Sequence, residues 1–322
     1  MRAFIGFTTV FFLWASSLTA QTCCSAGTPV LSAMTGAAPS AGLFRLSVDY
    51  DLNRVTRVFN RDQAIDAIRQ RTTQALLLRL SYGFTRRWGV EALLTYIRHQ
   101  RQLNQPNSSG SLEPLLAAGV GDAIVMLNHN LIVPDIVSPW QWSMGLGLKA
   151  PLGTPDLTSG GILLPADMQP GSGSWDGLGW TRVGFSLRPH WPLTVLLQIA
   201  ARHNGTYNRF KVAGNSAFKH YAFGDVISLT TGGAYRADAL TIRLHARYRY
   251  ALRDRFADQP VANTGGQWLF LLAGLTLDTM APFSYHFTFT WPVWQKLNEI
   301  QLTTTWRLLV GIGWHFYREA NS

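Results

Sequence analysis

The feature that most constrains the fold is a long alternation of apolar and polar residues near the C-terminus. One face of this segment would carry Leu302, Thr304, Trp306, Leu308, Val310, Ile312, Trp314 and Phe316. The other face would carry Gln301, Thr303, Thr305, Arg307, Gly311, Gly313 and His315. Because successive side chains of a β-strand point to opposite faces, the pattern predicts a long strand with one apolar and one polar face.

Similar alternation recurs along most of the chain. The segment 283–293 places aromatic residues on one face, and the segment 240–253 sets an apolar face against Thr241, Arg243, His245, Arg247, Arg249 and Arg253. Weaker alternation predicts strands near 43–55, 73–84, 88–100, 119–132, 140–150, 176–187, 193–203, 224–236 and 267–278. The segments together predict about twelve strands.

The connections between these segments alternate in length. Short ones fall near Arg86, Ser138, His190, Ala237 and Ala281. Long ones, rich in Gly, Pro and Asn, fall near 59–72, 103–117, 151–175, 203–223 and 253–266. An even strand count with short turns at one end is typical of bacterial outer-membrane barrels, because a sheet in lipid must close to pair all its backbone groups. We therefore expect an all-β, closed antiparallel transmembrane β-barrel with short periplasmic turns and long external loops.

The chain ends predict export to the outer membrane of a Gram-negative bacterium. Residues 1–20 have the charged, apolar and small-residue order of a signal peptide, with cleavage expected after Ala20. Residues 21–42 would form a periplasmic N-terminal segment that carries the adjacent Cys23 and Cys24. Residues 43–317 would form the barrel, and residues 318–322 a C-terminal tail.

Composition argues against a soluble β-protein and against nucleic-acid binding. Only 14% of residues are charged, whereas the outer faces of a soluble barrel would need more Lys and Glu. Aromatic residues lie close to the predicted strand ends, as in interfacial girdles: Trp88, Trp140, Trp142, Tyr250, Trp291 and Trp314. The net charge of +10 comes from basic residues scattered singly, so no nucleic-acid partner is expected.

The inward faces of the predicted strands carry more bases than acids. The basic candidates to line the lumen are Arg79, Lys149, Arg182, Arg202, Arg243, His245, Arg247, Arg249, Arg253 and Arg307. The acidic candidates are Asp49, Asp51, Glu91 and Asp122. The surplus predicts a lumen that favours anions. The alternative is that the acids pair with part of the ladder and simply fill the interior.

Two other functions stay open beside a small-molecule channel. An outer-membrane lipid-modifying enzyme would use His129 with Asn130 or His203 with Asn204, yet neither pair has a serine at a recognisable spacing. A non-conducting structural or assembly barrel is the third hypothesis. No catalytic residue, metal site or cofactor is predicted, and the loop 151–175 either folds inward to narrow the pore or stays outside.

Three stretches resemble the outer-membrane family named for the MetA pathway of phenol degradation. They are QTCCSAG, then LKAPLGTPD with MQPGSGSWD, and then NTGGQWLFLLAGLTL with WPVWQKLNEIQLTTTWRLLVGIGWHF. The resemblance implies a barrel of about twelve strands associated with the movement of hydrophobic or aromatic compounds, and no catalytic residues. Phe316 is similar to the terminal aromatic of a barrel-assembly signal, although residues 317–322 extend past it. The expected partners are outer-membrane lipid, small-molecule solutes and the barrel assembly machinery.

Overall fold

The structure is a computed structural model that describes residues 39–65, 69–103, 114–133, 139–188, 191–210, 218–279 and 282–317. The predicted signal peptide, Cys23 and Cys24, and the predicted C-terminal tail lie outside these residues. In the described ranges, no α-helix is long and apolar enough to cross a bilayer.

Strands dominate the described chain. The first eleven are β1 (Leu43–Val55), β2 (Arg57–Asn60), β3 (Gln63–Ile65), β4 (Arg69–Gly83), β5 (Trp88–Leu103), β6 (Leu115–Val120), β7 (Ala123–Ile132), β8 (Trp140–Ala150), β9 (Thr158–Ser159), β10 (Ile162–Leu163) and β11 (Asp176–Arg188). The next eleven are β12 (Trp191–His203), β13 (Thr206–Phe210), β14 (Lys219–Ala222), β15 (Val226–Ala237), β16 (Leu240–Ala251), β17 (Arg255–Phe256), β18 (Gln259–Pro260), β19 (Gly266–Asp278), β20 (Phe283–Leu297), β21 (Ile300–Thr303) and β22 (Trp306–Tyr317). A short 3-10 helix spans Ala166–Met168.

The long strands form one closed antiparallel sheet. Its order is β4, β1, β22, β20, β19, β16, β15, β12, β11, β8, β7 and β5, and β5 pairs again with β4. The first and last strands are joined over their whole length, from Leu43 opposite Tyr317 to Arg54 opposite Trp306. The predicted closed barrel of about twelve antiparallel strands is confirmed.

The two ends of the barrel differ as predicted. Short turns such as residues 84–87 and 238–239 connect strands at one end, which we call the short-turn end. Among the described residues, the connections at the opposite, long-loop end carry three small sheets of their own, formed by β2, β3 and β21, by β13, β14, β17 and β18, and by β9 and β10.

Two predicted strands were placed incorrectly. The segment 119–132 is interrupted at Gly121 and Asp122, where the pairing with β5 shifts by one residue, as in a β-bulge. The final strand begins at Trp306 and not at Gln301. Leu302, expected on the outer face, is buried in the β2 and β21 sheet against Val55 and Val58. The prediction was wrong because the alternation continues unbroken through a turn that the sequence does not mark.

The barrel has an apolar outside and a mixed inside. Outward leucines such as Leu146 and Leu244 are about two-thirds exposed, at 65% and 66%. Inside, an apolar cluster fills part of the lumen between β4, β5, β7, β11 and β12, and its members are Ala75, Leu77, Leu93, Ile97, Ile124, Met126, Leu178, Trp180 and Ala200. Exposed apolar area on this scale matches hydrocarbon better than water.

Candidate functional site

Two cavities in the lumen are lined by described residues, several of them basic. The larger has a volume of about 410 Å³, and its basic lining residues are Arg79, Arg182, Arg243, His245, Arg247, His286 and Arg307. The smaller, of about 180 Å³, lies toward the short-turn end and is lined in part by Arg45, Glu91 and His315. Arg79 and His286 line both cavities, so these two side chains mark the boundary between them.

Asp49 of β1 holds this boundary together. Its carboxylate accepts a hydrogen bond from Nη2 of Arg79 at 2.9 Å, and its other oxygen lies 2.7 Å from Nε2 of His286. His286 reaches Asp49 across β22 because Gly311 has no side chain. A Cβ at position 311 would lie 2.1 Å from Oδ1 of Asp49.

Further acids on the same side of the lumen are also paired with bases. Nε of Arg307 donates to Asp51 at 2.8 Å, and Glu91 lies 3.6 Å from Nε of Arg79. The amide of Asn128 donates to Glu91 at 3.4 Å. We call this side, formed by β22, β1, β4 and β5, the paired wall.

The opposite side carries a ladder of bases on β16, and we call it the ladder wall (β15, β16 and β19). Arg243 donates to the hydroxyl of Thr276, and Nε of Arg247 donates to Thr230 at 3.1 Å. Within the described residues, no carboxylate oxygen lies within 4 Å of either guanidinium. At the long-loop end of the ladder, the Arg249 guanidinium lies 5.2 Å from the ring centroid of Trp268, in a cation–π contact.

The connection 151–175, which we call the inner loop, folds into the barrel. The part that contains the short 3-10 helix is buried against the inner faces of β4, β5 and β6, where Met168 packs on Ala117. Gly153 and Gly171 let the two ends of the loop cross in contact, since a Cβ on Gly171 would lie 2.5 Å from the carbonyl carbon of Gly153. Of the two conformations considered from sequence, the inward one is observed for this part.

Asp122 fastens both ends of the inner loop to the barrel wall. Its carboxylate accepts hydrogen bonds from the backbone amides of Gly153, at 3.1 Å, and Ser172, at 2.9 Å. It also pairs with Lys149 at 2.9 Å, and Lys149 lies 2.7 Å from Asp176. Both acids and the lysine are buried. Asp122, at the bulge, therefore anchors the loop. Bulges often occur beside functional sites.

The middle of the inner loop is held by a second buried cluster. Asp167 pairs with Arg71 of β4 at 3.1 Å and with Arg101 of β5. Gln169 closes the loop on itself, because its side chain accepts from the amide of Leu157 at 2.8 Å and donates to the carbonyl of Leu164 at 2.9 Å. These contacts hold the middle of the inner loop against β4 and β5.

Of the predicted lumen residues, Asp49, Asp51 and Glu91 pair with bases of the paired wall and Arg249 contacts Trp268, as described above. The others fall into three groups. Six of the bases line the larger cavity, namely Arg79, Arg182, Arg243, His245, Arg247 and Arg307. Lys149, Arg202 and Asp122 belong to the anchor cluster, in which Arg202 lies 3.7 Å from Asp176. The prediction that Arg253 lines the lumen was wrong. β16 ends at Ala251, and the Arg253 side chain is exposed in the following loop, where the strand alternation no longer applies.

Several polar residues of the lumen were not predicted from the sequence. Arg71 and Arg101 lie just outside the predicted strands 73–84 and 88–100, which were drawn too short, because β4 begins at Arg69 and β5 ends at Leu103. His286 lies on the polar face of its predicted strand, so the alternation could have identified it as a lumen residue. Asp167 had no local signal, because a loop position carries no periodicity.

Among the described residues, neither histidine considered for an enzyme is hydrogen-bonded to a serine hydroxyl. His129 stacks on Trp88 with ring centroids 4.1 Å apart. His203, at the end of β12, lies 2.8 Å from Asp225. In the described ranges, no three His, Cys, Asp or Glu residues are grouped as metal ligands.

At the long-loop end, the buried Tyr221 and the partly buried Asp254 form a pair beyond the barrel strands. The hydroxyl of Tyr221 donates to Asp254 at 2.6 Å, and the amide of Gly224 donates at 2.8 Å. Burial raises the pKa of Asp254 from 3.8 to about 6, although these hydrogen bonds oppose the shift. The neutral acid thus favours the folded loop, and this stabilisation is present below pH 3.8 and lost as the pH rises through about 6.

Solved outer-membrane proteins share this architecture. The chain aligns with the COG4313 outer membrane channel from Pseudomonas putida F1 at a TM-score of 0.69 and 13% identity, over 87% of this chain and 97% of the other. The fold is that of an outer-membrane β-barrel. Lower similarity extends to the beta domain of the Bordetella autotransporter Brka (TM-score 0.46, 13% identity, 84% of this chain and 99% of the other). It also extends to the TodX monoaromatic hydrocarbon channel deltaS2 mutant (TM-score 0.43, 9% identity, 88% and 91%).

No family model matches the chain, and no curated protein matches it. The outer-membrane barrel that the resemblance implies is shown by the structure. Membership of the phenol-degradation family stays a prediction.

Proposed function

We propose that this protein is an outer-membrane channel of a Gram-negative bacterium, through which small polar solutes diffuse. The observation that carries the proposal is a closed barrel with an apolar outside and two neighbouring polar cavities inside, which share Arg79 and His286. An outer face of this kind suits lipid, and a hydrated lumen suits solutes.

The passage is narrow and one-sided. The inner loop and the apolar cluster occupy the lumen near β4, β5 and β7, which leaves the larger cavity beside the ladder wall. Solutes would therefore pass along Arg243 and Arg247. Because the guanidinium groups of these two residues have no carboxylate partner in the described chain, the passage favours anions.

Planar-bilayer recording on refolded protein tests the channel and its selectivity together. We expect small single-channel currents and, in a KCl gradient, a reversal potential on the anion side. The double variant Arg243→Gln/Arg247→Gln should move the reversal potential toward cation preference. Arg253→Gln, which removes an exposed loop charge, is the matched control and should leave it unchanged.

Folding of each sample is checked by its faster gel migration before boiling, because a closed barrel has no free edge for detergent to open. A folded barrel without current would favour the structural or assembly role. Release of fatty acid from added phospholipid would favour the lipid-modifying enzyme. The resemblance adds hydrophobic or aromatic compounds as a further solute class, which liposome uptake of phenol would test.

A further inference from the structure

We infer that the larger cavity is a binding site for a small hydroxylated dicarboxylate, with its carboxylates on Arg243 and Arg247. The inference deepens the proposed function, since the solute would reach this site through the lumen.

The ladder offers hydrogen-bond donors that the protein itself does not use. Arg247 donates a hydrogen bond only through Nε, to Thr230, and Arg243 donates only through Nη2, to Thr276. Between them, Nε2 of His245 is buried without a hydrogen-bond partner in the described chain. Asp278, a nearby acid on β19, lies 3.8 Å from Arg236 instead. A guanidinium fork with unused nitrogens is the group that binds a carboxylate in two-point fashion.

The spacing of the two arginines favours two anionic groups on one ligand. Four residues along a strand separate their Cα atoms by about 13 Å, so one carboxylate is unsuited to bridging both guanidinium groups. A short chain with a carboxylate at each end matches this spacing better. A cavity of about 410 Å³ is also within the range of about 300–1,000 Å³ that small-molecule sites occupy.

The rest of the lining favours hydroxyl groups over an aromatic ring. Thr288 and Thr290 of β20 face the cavity, and their hydroxyls make no hydrogen bond in the described part of the chain. Gln198 adds an amide. No Phe, Tyr or Trp belongs to the lining residues, whose larger apolar members are Leu196, Leu272 and Leu309. A polar chain therefore pairs with more of the hydrogen-bonding groups of the cavity wall than a hydrocarbon ring does.

Calorimetric titration of the detergent-solubilised, folded barrel with D-glucarate tests this site without requiring conduction. We expect saturable binding that Arg243→Gln/Arg247→Gln weakens about tenfold or more, because hydrogen bonds to charged groups are lost. Arg253→Gln should bind as the unmodified protein does. Adipate, which has the same chain length without hydroxyls, should bind more weakly, and sorbitol, which has the hydroxyls without charge, should not compete.

Several results would overturn the inference: no heat with D-glucarate, equal binding by the double variant, adipate binding as tightly as D-glucarate, or phenol displacing D-glucarate. If the barrel conducts KCl and D-glucarate does not bind, the channel proposal stands and this inference fails. If D-glucarate binds as expected and no current is seen, the site stands and the channel proposal fails.

Discussion

On the paired wall, Arg79 and Arg307 each meet a carboxylate of β1, whereas on the ladder wall Arg243 and Arg247 donate to threonine hydroxyls. The difference follows from which strands are neighbours. Asp49 and Asp51 lie between β4 and β22 in the sheet, within reach of bases on both sides. The inward faces of β15 and β16 carry no acid.

This contrast separates two uses of charge in one lumen. A buried base that is paired with an acid stabilises one arrangement of the wall, and its removal leaves an uncompensated charge. A base that faces a hydrated cavity and has only neutral partners keeps its interaction with water or solute. We therefore propose that electrostatic structure and solute selectivity lie on opposite sides of the same barrel.

Removing Asp122 should have the largest effect on stability. Asp122→Ala leaves Lys149 buried with Asp176 alone and frees both ends of the inner loop. We expect the free energy of unfolding to fall by about 3–5 kcal/mol, measured by urea titration in lipid vesicles. Asp156→Ala, an exposed acid of the same loop, is the control. Equal unfolding midpoints for the two variants would refute the anchor role.

A charge on the outside of the ladder wall should cost somewhat less. Leu244 lies between Arg243 and His245 and points outward with 66% exposure. Leu244→Arg should reduce the free energy of unfolding by about 2–4 kcal/mol near the bilayer midplane, and Leu277→Arg, near the short-turn end, by about 0–1 kcal/mol. The same titration measures both, and a cost independent of position would argue against a lipid-facing surface.

Crowding the bridge between Asp49 and His286 should have an intermediate effect. A methyl group in Gly311→Ala would clash with Oδ1 of Asp49, so we expect a loss of about 1–3 kcal/mol in the free energy of unfolding. Gly177→Ala is the matched strand glycine, because nothing lies within 4 Å of a Cβ at that position. If both variants unfold alike, Gly311 is not needed for the bridge.

The smallest stability effect is expected on the ladder wall. Arg247→Met removes a base that has no acid partner, so the free energy of unfolding should change by less than about 1 kcal/mol. Arg79→Met, which leaves Asp49 and Glu91 without their guanidinium, should cost about 3 kcal/mol or more. Unfolding titrations of the pair measure the contrast directly, and similar costs would remove the distinction between the two walls.

Much of this architecture was predictable because a strand has a simple period. The alternation from Arg243 to Arg249 placed four bases on one face, and the structure puts all four inside. The same rule failed where the chain leaves the barrel without changing its pattern. Leu302 and Arg253 continue the alternation past the ends of the barrel strands. Only the pairing of the backbone shows that Leu302 belongs to the separate strand β21 and Arg253 to a loop.

The sequence by itself determined the strands and the polarity of their two faces, because both depend on spacing along one strand. Closure followed from the lipid environment, in which a sheet must pair all its backbone groups. The partners of the charged side chains were decided by the tertiary structure. Asp167 reaches Arg71 across 96 positions of sequence, and Arg307 reaches Asp51 across 256. Such pairs exist only once the sheet has closed and the inner loop has folded into it, since no local pattern brings a loop acid to a strand base.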